Sequence, residues 1–177
     1  LPGTGCDITF EEIAGSLCGY TVEDVRTIFH DQLTALHHRL HISGDELIDQ
    51  IRSWYGGYSW SDMRKEILCP FAVNTLLTRR QFGPHWSSAI EPLYWISDIM
   101  KDVNVSNVFQ GKIPLQKGRK LTRWKGAKPV QNIGASVESE LRSLLLDMGI
   151  LTIIDVETDP ETLNKMGIVG IPNRDVR

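Results

Sequence analysis

Three histidines, His30, His37 and His41, stand seven and four residues apart in a stretch of helical character. At 100° per residue they fall within about 40° of one helical face, and an i, i+4 pair can hold a metal from one helix. A closed site also needs a third or fourth ligand, and no cysteine or glutamate stands at supporting spacing, so the stripe is expected to border an apolar face. Asp155 and Glu157 are close enough to suggest a metal-dependent nuclease, but Asp159 stands where such a site wants a lysine to stabilise developing charge. Gly111-Lys112 is followed by Ile113 and lacks an upstream glycine, so no turn here can cradle phosphates with amides and a lysine. LTIID, residues 151–155, imitates a strand ending in a metal-holding aspartate; without a phosphate loop it reads as a hairpin strand meeting its polar tip.

The best physical case for a binding surface is basic. From 112 to 128 the chain reads KIPLQKGRKLTRWKGAK, with Lys112, Lys117, Arg119, Lys120, Arg123, Lys125 and Lys128 and no acid. Cations neutralise phosphates, and the ring of Trp124 among them could stack on a base, which is the chemistry of nucleic-acid contact. The same residues would also serve as the solvated side of edge strands, where lysine deters aggregation. Salt-sensitive DNA binding that weakens when Lys120 and Arg123 become alanine is the mark of the first reading.

A second stretch is aromatic. WYGGYSW, residues 54–60, places four rings in seven positions around two glycines, with no cation nearer than Arg52 or Arg64 to hold a phosphate. It is expected to be a helix stop that folds rings onto a core. Trp54 follows Leu47 and Ile51 inward, Gly56-Gly57 supply a left-handed turn, and Tyr58 and Trp60 face one way with Ser59 the other.

The elements that must position these residues are announced by their caps. Thr9 with Glu12 fits a capping box before a short helix that Gly19 stops. Thr21 opens a helix over 21–40 with Glu23 and Asp24 in its first turn and Phe29, Leu33, Leu36 and Leu40 on one face. Ser43 with Glu46 caps a helix that carries Leu47, Ile48, Ile51, Trp54 and Tyr55 up to Gly56. Pro70 starts a helix with Phe71, Val73, Leu76 and Leu77 inside and Arg79 and Arg80 at its end. EPLYWISDIMKDV, residues 91–103, reads as a further short helix, and the basic stretch suits short strands and turns. SVESELRSLLLDMG, residues 136–149, is helical with Val137, Leu141, Leu144, Leu145 and Met148 on one face and Gly149 as its stop. Two apolar runs, ILTII and MGIVGI, then bracket a polar tip as a β-hairpin.

With 177 residues, 41% hydrophobic and 23% charged, the chain sits within the range of one folded domain, with a small second module possible in length. A net charge of −3 argues against whole-surface attraction to nucleic acid or anionic lipid. The three cysteines, Cys6, Cys18 and Cys69, are odd in number and form no CxxC pair, which predicts neither a disulfide framework nor a zinc site. No apolar run approaches the roughly 18 residues of a membrane span, and the start lacks a signal peptide, so an intracellular, cytoplasmic protein with no membrane partner is expected. The opening LPGTG without an initiator methionine reads as a piece of a longer chain.

Six blocks carry a resemblance: DITFEEIAGSLCGYTVEDV, IRSWYGGYSW, CPFAVNTLL, YWISDIM, SLLLDMGILTI and GIVGIPNRDVR. Together, in this order, they resemble the predicted AAA-ATPase-like family, whose members typically carry this region between a nucleotide-binding core and a nuclease-like domain of the PD-(D/E)xK type. The match runs nearly end to end, although the family's Tyr-Asn-Pro appears here as Leu68-Cys69-Pro70. The resemblance implies a helical lid and connector without catalysis of its own. Its partners would be an upstream ATPase core, where ATP and magnesium bind, and a downstream nuclease-like domain. No cofactor, catalytic or metal residue is carried over to this chain; Arg52, Arg64, Arg79 and Arg80 stand as candidates for an arginine that senses nucleotide.

The expected architecture is therefore mainly α, within α+β. A helical lid-like region spans 1–104, and 105–177 hold the basic strand and turn segment, a helix and a small β-hairpin, an order shared with winged-helix modules. The expected role is coupling of nucleotide state to an attached effector; the alternative is a stand-alone protein- or DNA-interaction module using residues 112–128.

Overall fold

The computed structural model describes residues 14–60, 66–89, 103–115 and 137–177, and the backbone of 124–125 and 128–129. The expected cap at Thr9 and the helix at 91–103 lie outside, or almost wholly outside, these residues. Helix α1, Val22–Ile28, opens on a reciprocal box: Thr21 Oγ1 accepts from the Asp24 amide at 3.0 Å, and the Asp24 carboxylate accepts from the Thr21 amide at 2.8 Å. Two otherwise orphaned donors are satisfied at once. The single helix expected over 21–40 is interrupted at Phe29, whose backbone departs to φ −111°, ψ 25°, and α2 runs His30–Leu40. That departure sets the Phe29 ring edge-on to Tyr20, with centroids 5.5 Å apart. Helix α2 ends on His41 in the left-handed region, without a glycine.

Helix α3, Gly44–Tyr55, is capped by Ser43, whose hydroxyl accepts from the Glu46 amide at 3.1 Å. Helix α4, Pro70–Arg79, begins with its proline at the first turn, where the missing N–H costs nothing. These helices share one apolar cluster built from Val25, Leu33, Leu36, Leu47, Ile48, Ile51, Tyr55, Leu68, Ala72, Val73 and Leu76. The inward face of α4 is Ala72, Val73 and Leu76; Phe71, expected inside, is 49% exposed because it lies about 160° and about 140° around the helix from Val73 and Leu76.

Helix α5, Val105–Phe109, leads into β1, Lys112–Pro114; β2, Trp124–Lys125, and β3, Lys128–Pro129, form a separate antiparallel pair. Helix α6, Val137–Asp147, precedes β4, Thr152–Thr158, and β5, Lys165–Gly170. The expected hairpin is β4–β5, and β1 adds to its far side, giving an antiparallel sheet of order β1-β5-β4. The register sets Lys112 opposite Ile168 and Thr158 opposite Lys165. The fold is mostly helical with this small sheet, an α+β arrangement.

A second apolar cluster joins Val108, Ile113, Leu141, Leu145, Leu146, Leu151, Ile153 and Val169. Val137, expected inside, is exposed, and Leu146 is buried in addition to Leu145. The face of α6 is turned by Arg142, whose buried guanidinium donates to the carbonyls of Val108, Asn107 and Lys112. Those acceptors are two carbonyls in the last turn of α5 and one at the start of β1, so one cation serves carbonyls that the helix itself leaves unpaired. Helix α6 then stops in a Schellman pattern, with Gly149 donating to Leu146 and Ile150 to Leu145, and Gly149 at φ 70°.

Candidate functional site

The place where the two clusters meet is built around WYGGYSW. Tyr55 closes α3 and is fully buried; its hydroxyl donates to the Gly83 carbonyl at 3.1 Å and accepts from the Gly83 amide at 3.2 Å. Burial raises its phenol pKa to about 12, the hydrogen bond to Gly83 opposing part of the rise. Trp54 is the half-buried neighbour, packed on the rim of the first cluster beside Phe82. Gly57 takes φ 79°, whereas Gly56 is extended at φ −91°. The turn at Gly57 is tight: a Cβ there would stand 2.2 Å from the Pro172 carbonyl oxygen. Glu66 fixes the same turn, accepting from the Gly57 amide at 3.1 Å and pairing with Arg52 at 2.6 Å.

Residues 58–60 then run extended between two neighbours. On one side Tyr58 bridges Ile67, and Leu68 in turn bridges Tyr20. On the other side the Ser59 amide donates to Thr152 Oγ1 at 2.8 Å, and the Ile153 amide donates to the Ser59 carbonyl at 3.3 Å. Ser59, expected to face solvent, is buried because Thr152 at the start of β4 covers it. The segment is thus a splice: Tyr58 belongs to the helical side, and Trp60 packs against the second cluster.

The chain returns to this corner after β5. Asn173 donates from Nδ2 to the Gly56 carbonyl at 2.7 Å, while its Oδ1 accepts from the amides of Asp175 and Val176. Arg174 and Asp175 donate through their amides to the carbonyls of Ser53 and Trp54. The Asp175 carboxylate, on a residue 3% exposed, accepts from the Trp86 amide at 2.9 Å and from the Ser87 amide and hydroxyl at 3.1 Å each. The Tyr58 phenol is pushed well above its usual pKa, chiefly by burial, and a hydrogen bond with Asn173 opposes the shift. Asn173, Asp175, Thr152 and Glu66 were not singled out in the sequence. Asn and Asp two apart after Pro172 are a turn signature with side chains suited to backbone amides, the one signal that points to two of them.

A cleft of about 210 Å³ opens at the splice, bounded by Tyr58, Trp60 and Trp86, by Leu68, Cys69 and Pro70 at the start of α4, and by Asp147, Met148 and Gly149 at the end of α6. The rings of Tyr58 and Trp60 are nearly parallel, with centroids 6.3 Å apart. The corner is therefore both a helix stop, as expected, and one wall of a small aromatic cleft.

The other residues read from sequence are dispersed. Lys112 pairs across the sheet with Glu157. Lys117, Arg119, Lys120 and Arg123 lie outside the described residues, and Lys125 and Lys128 are placed only as backbone of β2 and β3. His41 leaves the helical face by its left-handed backbone, and the rings of His37 and His38 lie 4.2 Å apart, tilted by 34°. Among the described residues, no group of three or more His, Cys, Asp or Glu is placed to hold a metal. Asp155 accepts from the neighbouring Val156 amide. Of the four arginines, Arg52 is tied to Glu66, Arg79 lies in the last turn of α4, Arg80 is its left-handed cap, and Arg64 lies outside the described residues. Among the described residues, no helix is long and apolar enough to cross a membrane.

Comparison with known proteins gives one distant likeness. The chain is 31% identical over 90 residues, 51% of its length, to a protein of Azotobacter chroococcum mcd 1 known as "Uncharacterized protein in vnfD 5'region". The match spans 15% of that relative, which is several times longer than the region it shares. No family model matches the chain, and no solved structure matches it.

Proposed function

We propose that this chain is the helical lid and connector of a longer AAA-ATPase-like protein, and that it couples nucleotide state in a core to movement of a nuclease-like effector domain. The observation that carries the reading is the splice: two separate apolar clusters joined through Ser59, Thr152 and the 172–176 segment by hydrogen bonds and through the ring contact of Tyr58 with Trp60. Such a joint transmits displacement of one unit to the other, and two packed units that shift about a few residues are a common form of switching element. The greater length of the Azotobacter relative fits a chain with further domains. ATP and magnesium belong to that core in this reading. The chain has no glycine-rich turn ending in Gly-Lys-Ser/Thr, so its own residues do not fit a phosphate cradle.

The coding sequence on both sides supplies the first test: a glycine-rich loop ending in Lys-Ser/Thr upstream is expected, and a start codon near Leu1 would sink the idea. Hydrogen exchange on the longer protein supplies the second. Adding a non-hydrolysable ATP analogue should change protection at 58–60, 86–87 and 152–153, while the 177-residue chain alone should neither respond nor hydrolyse ATP. Unchanged exchange in the longer protein, or hydrolysis by the short one, would refute the assignment.

A further inference from the structure

The outer face of the small sheet carries an apolar groove whose origin is a bulge. The β4–β5 register slips between Ile153 and Asp155, which leaves Ile154 without a partner on β5. A bulge re-aims its extra side chain. Ile154 is turned to the surface, 53% exposed, and lies over Gly170, where a Cβ would stand 3.0 Å from its Cδ1. Strand β5 alternates Gly167 and Val169 inward with Met166, Ile168 and Gly170 outward and half-buried. Ile154 and Ile168 therefore share the outer face, and Phe109 of α5 and Ile171 complete an open groove of about 370 Å³. Toward the hairpin tip the face turns polar, because Lys112 reaches across β5 to pair with Glu157.

The size of the groove and the course of the backbone beside it select what covers it. Eight residues line the groove, against about 20–30 a side in a stable interface between proteins, so a free partner or a second copy would gain too little to stay. A tethered segment needs far less, because a short link holds it at an effective concentration in the millimolar range. The backbone from Asn173 to Val176 is pinned. The Asn173 side chain accepts from the amides of Asp175 and Val176, and the amides of Arg174 and Asp175 donate to the carbonyls of Ser53 and Trp54. Arg177, the next residue, lines the groove. We infer that in the longer protein the residues following Arg177 lie in this groove and set an apolar side chain against Ile154 and Ile168, latching the chain that leaves the connector. The inference rests on the longer-protein reading above and goes beyond it in naming where the downstream segment docks.

The test is made in the longer protein. Its coding sequence should place an apolar residue within about six positions after Arg177, the reach of about 20 Å of extended chain. Ile154→Cys should react with a maleimide about tenfold more slowly than Leu163→Cys, read by peptide mass mapping, whereas their exposures of 53% and 76% would alone separate them less than twofold. A broad-specificity protease should spare the segment just after Arg177, and Ile154→Asp should speed cleavage there about tenfold while Leu163→Asp leaves it unchanged. Shielding of residue 154 that appears only as the protein is concentrated would assign the groove to a second copy. Shielding beside a freely cleaved 177 junction would assign it to another part of the protein. Either result overturns the inference, as do equal labelling of the two cysteine variants or a downstream segment without an apolar residue. A coding sequence that stops at Arg177 removes the longer-protein reading and this inference together; free cleavage just after Arg177 in a chain that continues removes this inference alone.

Discussion

Asp175→Ala tests the corner most directly. The native carboxylate is buried and accepts from two backbone amides and one hydroxyl, at 2.9, 3.1 and 3.1 Å. Hydrogen bonds to a charged group contribute about 1.5–3 kcal/mol each when deleted singly, and they do not add, because freed amides regain water as the 84–89 turn loosens. The loss should therefore be about 3 kcal/mol, a large share of the 5–15 kcal/mol that stabilises a typical domain. For a chain of this size that corresponds to a fall in melting temperature of roughly 6–12 °C. Asp175→Asn keeps one acceptor oxygen but turns an N–H₂ group toward a donor, and should cost about half as much. Ser87→Ala removes only the hydroxyl contact and should cost about 1 kcal/mol; combined with Asp175→Ala it should cost almost nothing more. Urea denaturation gives the energies, and amide exchange at Trp86 and Ser87 gives the location. If Asp175→Ala stayed within about 0.5 kcal/mol of the native protein with both amides still protected, the 172–176 segment would not be holding the corner.

Three further outcomes follow from the same geometry. Gly57→Ala, at φ 79° and facing the Pro172 oxygen, should destabilise by about 2–4 kcal/mol in urea denaturation, whereas Gly44→Ala, with nothing within 4 Å, should be neutral or stabilising. Arg142→Met keeps the apolar stem but removes the donors to Val108, Asn107 and Lys112, and should cost about 3 kcal/mol, read as exchange of α5 and β1 before α1–α4. Stability should also fall in alkali. Tyr55 titrates near 12 in the folded protein against 10 when unfolded, so below pH 10 neither state releases the proton, and between 10 and 12 only the unfolded chain does. That favours unfolding by about 1.4 kcal/mol per pH unit, and Tyr55→Phe should flatten this part of the stability profile against pH.

The sequence discloses those parts of the fold that depend on neighbours in the chain. Ser43 before α3, Pro70 at the start of α4 and Gly149 after α6 act within one turn, and each sits where its chemistry suggests. Faces were harder to read. Apolar spacing in α4 and α6 admits two adjacent stripes, and the one chosen depends on partners far along the chain. Arg142 turns α6 toward α5 and β1, leaving Val137 outside and Leu146 inside. The site was least legible for the same reason. WYGGYSW advertises itself by composition, but Thr152 and Asp175 are ordinary polar residues whose partners lie 93 and 89 positions away. Single-residue chemistry carries no signal of such pairing. Thr152 acts only because the β4–β5 register brings it beside Ser59.

The kind of bond at the splice bears on how the two units could move. Burial within either cluster is repaid only while water stays out, so separating Leu145 from Ile113 or Ile51 from Leu76 would expose apolar surface at about 25 cal/mol per Å². The links across the splice are different: amide to hydroxyl at Ser59–Thr152, amide to carbonyl at Ser59–Ile153, and side chain to main chain at Asn173–Gly56 and Asp175–Trp86. Each can exchange its partner for water at a net cost of about 1 kcal/mol for a neutral pair and somewhat more where the carboxylate takes part. Displacing one unit on the other therefore costs a few such exchanges and the ring contact of Tyr58 with Trp60, while each cluster stays closed. Gly57 keeps the two close: its left-handed turn stands against the Pro172 carbonyl, where any side chain would push the 172–176 segment away. Loss of the Asp175 contacts should then free the segment after β5 while the Tyr58–Ile67 bridge persists, a sequence of events that exchange at Trp86 and at Ile67 would resolve.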